Sequence, residues 1–520
     1  MNSGEGYILT LDCGTQSVRA ILFDSSGNIV GKEKVEFEPY FSKEPGWAEQ
    51  DTAVFWDNCC LACQTLKARQ PEDWDKIIGV AVTTQRDATI IVDKEGEPLR
   101  PAIIWLDQRM AQCREPLPFY NNVMLKAVGM AKAVEILRRQ AKTNWIIENE
   151  PELWERTYKF LLLSGFFNYK LTGQYVDSVA SQIGHIPFDY KRQCWAKSKA
   201  DFKWKMFGID KAKLYDLVQP GEIIAGVTAQ AALATGIKEG TPVIAAGSDK
   251  GCETLGVGCR DLSCASMSFG TTATVQITSQ RYLEPLQFMP AYPASIPGYY
   301  NPEIEIFRGY WMISWFKKEF GVREMIEAEA RRVSPETVLD EKLADVPPGS
   351  QGLVLQPFWS PGLKMPEAKG AVIGFGDVHT RVHIYRAIIE GINYALIEGL
   401  ENIEKKSKVK VKRIAVSGGG SQSNAICQIT ADMFNRTVVR GQTYETSGLG
   451  AAINGFVGLK VFSSYEEAIN NMVHYTSFFE PDPANAQLYH ELYHRVYCKI
   501  YSRLEKLYKE IKAITHYPDI

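Results

Sequence analysis

The sequence predicts an α/β protein of two duplicated halves facing each other across a cleft. Three observations carry that prediction. The chain has 520 residues, more than one hydrophobic core ordinarily serves. Residues 1 to about 250 alternate short apolar runs with helical patterns, as the strands and helices of an open sheet do. The same signal opens each half: LDCGTQSVRA at 11–20 and SFGTT at 268–272, each a glycine-and-threonine bend between β-forming runs.

Composition narrows the function classes. Hydrophobic residues make up 45% and charged residues 23%, which is globular rather than disordered composition. With 58 Lys+Arg against 61 Asp+Glu the net charge is −3, which gives no reason to expect a nucleic-acid partner. No cationic leader with an apolar core opens the sequence, and no uninterrupted apolar run reaches membrane length. The expectation is a cytoplasmic protein without a membrane partner. The 11 cysteines are scattered apart from Cys59, Cys60 and Cys63 in the helical stretch FWDNCCLACQTL, and they read as reduced packing residues.

In chain order, the first bend carries Asp12, Gly14, Thr15, Gln16 and Ser17. It is either an ordinary polar turn or a clamp in which amides and hydroxyls cradle phosphate while a carboxylate holds a cation through water. IIGVAVT at 77–83 is a strand that delivers Gln85, Arg86 and Asp87, and PAIIWLDQR sets Trp105, Asp107 and Arg109 in a similar place. Both clusters are expected at one crevice, outside the carboxyl ends of strands. Arg86 and Asp87 are a surface pair, or they hold a polyhydroxylated ligand, the arginine donating to two oxygens and the acid accepting from hydroxyls, and Asp107 and Arg109 admit either reading as well. Trp105 is core, or a ring on which the C–H face of a sugar lies. KTNWIIENEPELWERTYKFLLL is helical and structural, with Pro151 opening a new helix. The strand TPVIAAG empties into Ser248, Asp249 and Lys250. Asp249 is a helix N-terminal acid, or the carboxylate that orients a hydroxyl attacking the terminal phosphorus of ATP. His185, His379 and His383 show no ligand spacing with carboxylates and read as structural.

The second half continues from SFGTT into a long helix with Tyr385, Ile388, Ile389, Ile392, Leu396 and Leu400 at helical spacing. Gly391 interrupts it at a cost of about 1 kcal/mol, so another backbone is expected to pack close there. KRIAVSGGGSQSNAICQITADMF follows as strand, glycine turn and helix. Gly418 to Gly420 either form a plain bend or bring backbone to a flat ligand at a helix N-terminus, with Asn424 at its edge or ribose. GSDKGCET does not supply the lysine loop of P-loop enzymes, and no dinucleotide fingerprint stands out, so a nucleotide falls to the paired hairpins. Beyond about residue 460 the chain reads as an aromatic-rich covering helix.

Taken in order, DCGTQSVR (12–19), PGWAEQD (45–51), TTQRDATIIVDKEG (83–96), WLDQR (105–109), KTNWIIENEPE (142–152), GTPVIAAGSD (240–249), SFGTT (268–272), GAVIGFGDVHTRVHIYRAIIEG (370–391) and SGGGSQSN (417–424) resemble the FGGY family of carbohydrate kinases, in the sugar kinase/Hsp70/actin superfamily. The resemblance implies two ribonuclease H-like domains around a nucleotide and sugar cleft. Residues 1–252 would bind sugar, and 253–520 would bind mainly nucleotide and carry a C-terminal helical extension. It implies ATP-dependent, Mg2+-requiring transfer of the γ-phosphoryl group to a sugar or polyol hydroxyl, and a homodimer or homotetramer. Carried onto this chain, Asp249 is the general base. Asp12 and Asp249 hold magnesium through water. Gly14, Thr15, Gln16 and Ser17 form the first phosphate loop, Gly270 and Thr271 the second. Gly418, Gly419 and Asn424 belong to the nucleotide pocket, and Gln85, Arg86, Asp87, Trp105 and Lys250 to the substrate site.

The chain departs from the family pattern at particular positions. Lys250 stands where members often have asparagine or glutamine, and Asp87 where glycerol kinases have glutamate. Arg86 and Asp87 replace the methionine and histidine of xylulose kinases, and Thr143 replaces a large apolar residue. The expected acceptor is a pentulose of ribulose or xylulose type or a short polyol, with glycerol behind them. An actin/Hsp70-like ATPase and a non-catalytic sugar-binding protein are the readings of other classes.

Overall fold

The computed structural model describes residues 6–516 apart from 115, 128, 199, 288, 360–364 and 366. The first hairpin forms as the pattern predicts. Strands β1 (Tyr7–Cys13) and β2 (Ser17–Phe23) pair antiparallel, Cys13 opposite Val18, and β3 (Ile29–Glu36) extends them. After helix α1 (Thr52–Arg69), β4 (Ile77–Thr84) returns parallel to β1. With β5 (Ile223–Gly226) and β6 (Pro242–Ile244) the sheet order is β5-β6-β4-β1-β2-β3. Helices cover the central strands on both faces, which is why they read as continuous apolar runs rather than alternating ones.

A second sheet repeats the first. Strands β7 (Cys264–Phe269), β8 (Ala273–Ile277), β9 (Glu303–Ile306), β10 (Arg413–Ser417), β11 (Thr437–Gly441) and β12 (Tyr475–Phe479) lie in the order β9-β8-β7-β10-β11-β12. Counted from the outer strand of each meander, successive pairs run antiparallel, antiparallel, parallel, parallel, antiparallel in both sheets. The duplicated α/β architecture is therefore present strand for strand.

Two helices join the halves. Helix α3 (Asp249–Gly256) leaves the first sheet, and α6 (Thr446–Gly458), from the far end of the chain, comes back to lie on it. Ile8, Ile21 and Phe23 share one buried cluster with Cys252, Leu255, Leu449, Ile453 and Phe456. Burying each such side chain is worth about 1.5–3 kcal/mol, so the joint is a core in its own right. The helices meet backbone to backbone at glycines: a Cβ on Gly450 would stand 1.9 Å from the Cys252 carbonyl oxygen, and one on Gly256 2.0 Å from that of Thr446.

Helix α4 (Arg381–Ser407) is the long helix of the second half. A Cβ on Gly391 would meet the Leu355 carbonyl oxygen at 2.6 Å, the close backbone approach that the sequence requires. Tyr489, Tyr493 and Tyr497 of the C-terminal helices lay their rings against Tyr394 of α4 and cover it. Cys59 and Cys63 are buried in the first core. Among the described residues no helix is long and apolar enough to cross a membrane.

One expectation fails. Asp107 and Arg109 do not open onto the crevice; they pair at 2.8 Å with side chains at most 1% exposed. The Arg109 guanidinium lies over Trp47 and Trp145 and also meets Glu49 at 2.8 Å. This ion pair, closed between two indole rings, is buried away from any ligand.

Candidate active site

The site assembles where β1 and β4 end. In the first bend the Gly14 amide donates to the Ser17 carbonyl at 3.0 Å, closing the turn, while Gln16 is exposed and Ser17 buried. Thr15 Oγ1 donates to Gln85 Oε1 at 2.8 Å and accepts from Trp105 Nε1 at 3.0 Å. One hydrogen-bond chain thus ties the first bend to two of the residues expected at the substrate. Asp12, the penultimate residue of β1, has Arg19 Nη1 at 3.2 Å. Burial pushes its carboxyl up to about 6; Arg19 pulls against this, and the charges of Glu445 and Asp249 add to the rise.

Asp249 is the first residue of α3, whose N-cap Ser248 accepts the Gly251 amide. It is therefore a helix N-terminal acid, and its side chain is also 30% exposed, with Arg86 Nε at 3.9 Å. Burial raises the Asp249 carboxyl, while Arg86 and Lys250 draw it back. Lys250 turns the other way: Nζ donates to Glu253 Oε2 and Ser268 Oγ, both at 2.7 Å. Glu253 in turn accepts from Ser417 Oγ at 2.5 Å. The head of α3 is thereby fastened to β7 and β10 of the second sheet.

Arg86 and Asp87 do not pair with each other. Arg86 crosses to the second half, Nη1 and Nη2 donating to the two oxygens of Glu303 at 2.7 and 2.9 Å, with Glu305 at 3.8 Å and the Tyr292 ring below. Asp87 takes Lys142 Nζ at 2.5 Å, from α2 (Lys142–Asn149), and His185 Nδ1 at 3.0 Å. Burial alone would raise the Asp87 carboxyl, but those two partners hold it well below the usual carboxylate range. His185, expected to be structural, is one of the two side chains that hold the Asp87 carboxylate.

In the second half the bend at Gly270 and Thr271 caps the helix at 311–320, their carbonyls accepting the Tyr310 and Trp311 amides at 3.1 and 3.3 Å. Gly418 brings the glycine turn onto this bend: its Cβ would meet the Phe269 carbonyl carbon at 2.9 Å and the Gly270 nitrogen at 3.2 Å. Gly419 faces open space, and Asn424 is exposed at the start of α5 (Asn424–Phe434).

Sequence reasoning did not single out Lys142, Glu303, Glu305, Arg19 or Glu445. Glu303 and Glu305 carried a signal, two acids at alternate positions of a short strand and hence on one face. Lys142 heads a helix whose next residues are all buried, an environment that demands a partner.

Comparison with known proteins agrees with this architecture. Residues 7–256 match the model of the FGGY family of carbohydrate kinases, N-terminal domain, and residues 265–459 that of its C-terminal domain. An uncharacterised sugar kinase of Escherichia coli K12, YgcE, is 30% identical over 93% of this chain and 91% of its own length. The xylulose kinase of Lactococcus lactis is 27% identical over 98% of each chain. The crystal structure of xylulose kinase from Rhodospirillum rubrum superposes with a TM-score of 0.80 at 25% identity, covering 97% of this chain and 100% of that one.

Proposed function

The chain belongs to the FGGY family of carbohydrate kinases, and on that premise we propose that it transfers the γ-phosphoryl group of ATP, with magnesium, to a hydroxyl of an uncharged pentulose or short polyol. The observation that carries this reading is Asp249: a partly exposed carboxylate at the head of the helix that joins the halves, with Arg86 on one side and the Lys250 tether to the second phosphate bend on the other.

Its burial keeps the carboxylate basic enough to orient an acceptor hydroxyl and take its proton as bonding to phosphorus develops. Amides of both bends donate to phosphoryl oxygens, and the bends exclude water that would otherwise compete as acceptor. The charge of Asp249 raises the proton affinity of Asp12, and among the described residues Arg19 is the one cation hydrogen-bonded to Asp12, so the two acids suit a divalent ion. Among the described residues no three or more His, Cys, Asp or Glu form a metal cluster, which fits an ion held mostly by water and phosphate. When bound, magnesium supplies neutralisation of charge on the phosphoryl oxygens.

Charge around the acceptor favours a neutral compound. Arg86 and Lys250 face Asp249, Glu253, Glu303 and Glu305, and Lys250 Nζ is already taken by Glu253 and Ser268. A carboxylated sugar would enter a carboxylate-rich site in which Arg86 and Lys250 are already engaged. Glycerol ranks lower because the arginine and acid that would clasp so small a molecule turn to different partners. The same reading puts the protein in the cytoplasm, where ATP is supplied and free thiols persist.

The test is ADP release across pentuloses, pentitols, erythritol, glycerol and gluconate, with the Asp249→Asn variant as control. One neutral acceptor should stimulate release far above the acceptor-free rate. The variant should lose about 10²–10⁴-fold in kcat while binding ATP within a few-fold of wild type. A flat profile across all acceptors overturns the proposal.

A further inference from the structure

His185 is placed with care for a residue that the reaction scheme leaves unused. Its Nδ1 lies 3.0 Å from Asp87 Oδ2, and its amide donates to Asp87 Oδ1 at 3.3 Å, so one carboxylate grips both backbone and ring. The Asp87 amide donates back to the Ile183 carbonyl at 3.2 Å. Between them Gly184 leaves no room for a side chain: a Cβ there would stand 2.6 Å from Asp87 Oδ1. The Tyr190 hydroxyl donates to the Gly184 carbonyl at 3.2 Å, and the Phe207 ring meets the imidazole edge-on.

The carboxylate fixes the tautomer. Asp87 is held ionised, so Nδ1, the nitrogen that faces it, carries a proton, and Nε2 is the nitrogen turned away from the carboxylate. Nε2 has no hydrogen-bond partner among the described residues, and the side chain is 20% exposed. An acid-oriented imidazole with its outer nitrogen unbonded, beside the residues at the end of β4, is built to make one further hydrogen bond.

We propose that His185 is a specificity-determining residue, its Nε2 hydrogen-bonded to a hydroxyl of the acceptor that is not the one phosphorylated. This rests on the kinase reading above. It adds that the acceptor carries a hydroxyl which the pocket reads through an imidazole, so a compound lacking that hydroxyl leaves a site nitrogen unpaired and is rejected.

Two variants separate contact from scaffolding. In His185→Asn the shorter amide reproduces the Nδ1 donor to Asp87 and removes the outer nitrogen; in His185→Gln the amide reaches the Nε2 position. With D-xylulose, D-ribulose, xylitol and glycerol as probes, the His185→Asn variant should raise the KM of the preferred acceptor about 10–100-fold, with kcat and the KM for ATP within about threefold. His185→Gln should recover most of the loss. Deoxy analogues of the preferred acceptor should locate the hydroxyl: the one that wild type rejects should be handled equally by wild type and His185→Asn. Wild-type acceptor KM in His185→Asn, or an equal loss for every acceptor and analogue, overturns the assignment while leaving the kinase intact. Absence of acceptor-stimulated ADP release in wild type overturns both readings.

Discussion

Asp87 has φ of 51°, a left-handed conformation that a non-glycine residue keeps only when its surroundings hold it there. Lys142 and His185 do the holding. The Lys142 side chain is 5% exposed and that of Asp87 17%, so removing the carboxylate strands a buried ammonium. Asp87→Asn should cost about 3 kcal/mol at pH 7, read as a lowered urea midpoint. The sign of its pH dependence follows from the depressed carboxyl: the ionised form is stabilising above the unfolded value of about 4, and the contribution is lost as pH falls through the lower folded value. The gap between wild type and variant should therefore begin to narrow below about pH 4 and go on narrowing as pH falls further. A constant gap down to pH 3 would show that packing, not charge, is what the variant lost. The sequence announces Asp87 by its place after a strand. It does not announce His185, 98 residues away along the chain, because no local pattern encodes a contact that only the completed fold creates.

Elements legible in the sequence were those set by local chemistry. The two bends, the strand before Gln85 and the turn at Gly418 follow from glycine placement and β-forming runs, and Gly391 announces a close neighbour. That last inference carries its own test. Gly391→Ala gains about 1 kcal/mol of helix propensity, but its Cβ would lie 2.6 Å from the Leu355 carbonyl oxygen. That oxygen belongs to the strand Val354–Gln356, paired antiparallel with Ala371–Ile373, and cannot yield as the tip of a side chain would. Overpacking of this kind costs about 1–3 kcal/mol, so the variant should be less stable despite its better helix former. A raised unfolding midpoint would mean that α4 shifts freely. What the sequence hides is the return of α6 onto the first sheet. Its alanines and glycines read as helix anywhere, and only the complementary surface of α3, with Gly256 against Thr446 and Gly450 against Cys252, says where it goes.

At the scale of the whole molecule, the halves are held at the α3/α6 joint and again across the cleft, where Arg86 donates both terminal nitrogens to Glu303. The second contact is electrostatic and nearly dry, with side chains 14% and 2% exposed. Among the described residues neither charge has another close partner: Asp249 and Glu305 stand 3.9 and 3.8 Å from the guanidinium. Truncating either residue alone leaves the buried charge of the other, whereas replacing both with apolar groups of similar volume removes that pair together. Arg86→Met and Glu303→Met should each lose about 3–5 kcal/mol, and the double variant less than either, a non-additivity that a double-mutant cycle reads directly. Solution scattering supplies the geometric half of the test. With the clasp broken on one side, the ligand-free radius of gyration should increase, and ATP with acceptor should bring it back. Additive losses with an unchanged radius would mean that the pair merely sits at the interface and that the α3/α6 joint alone sets the angle between the halves.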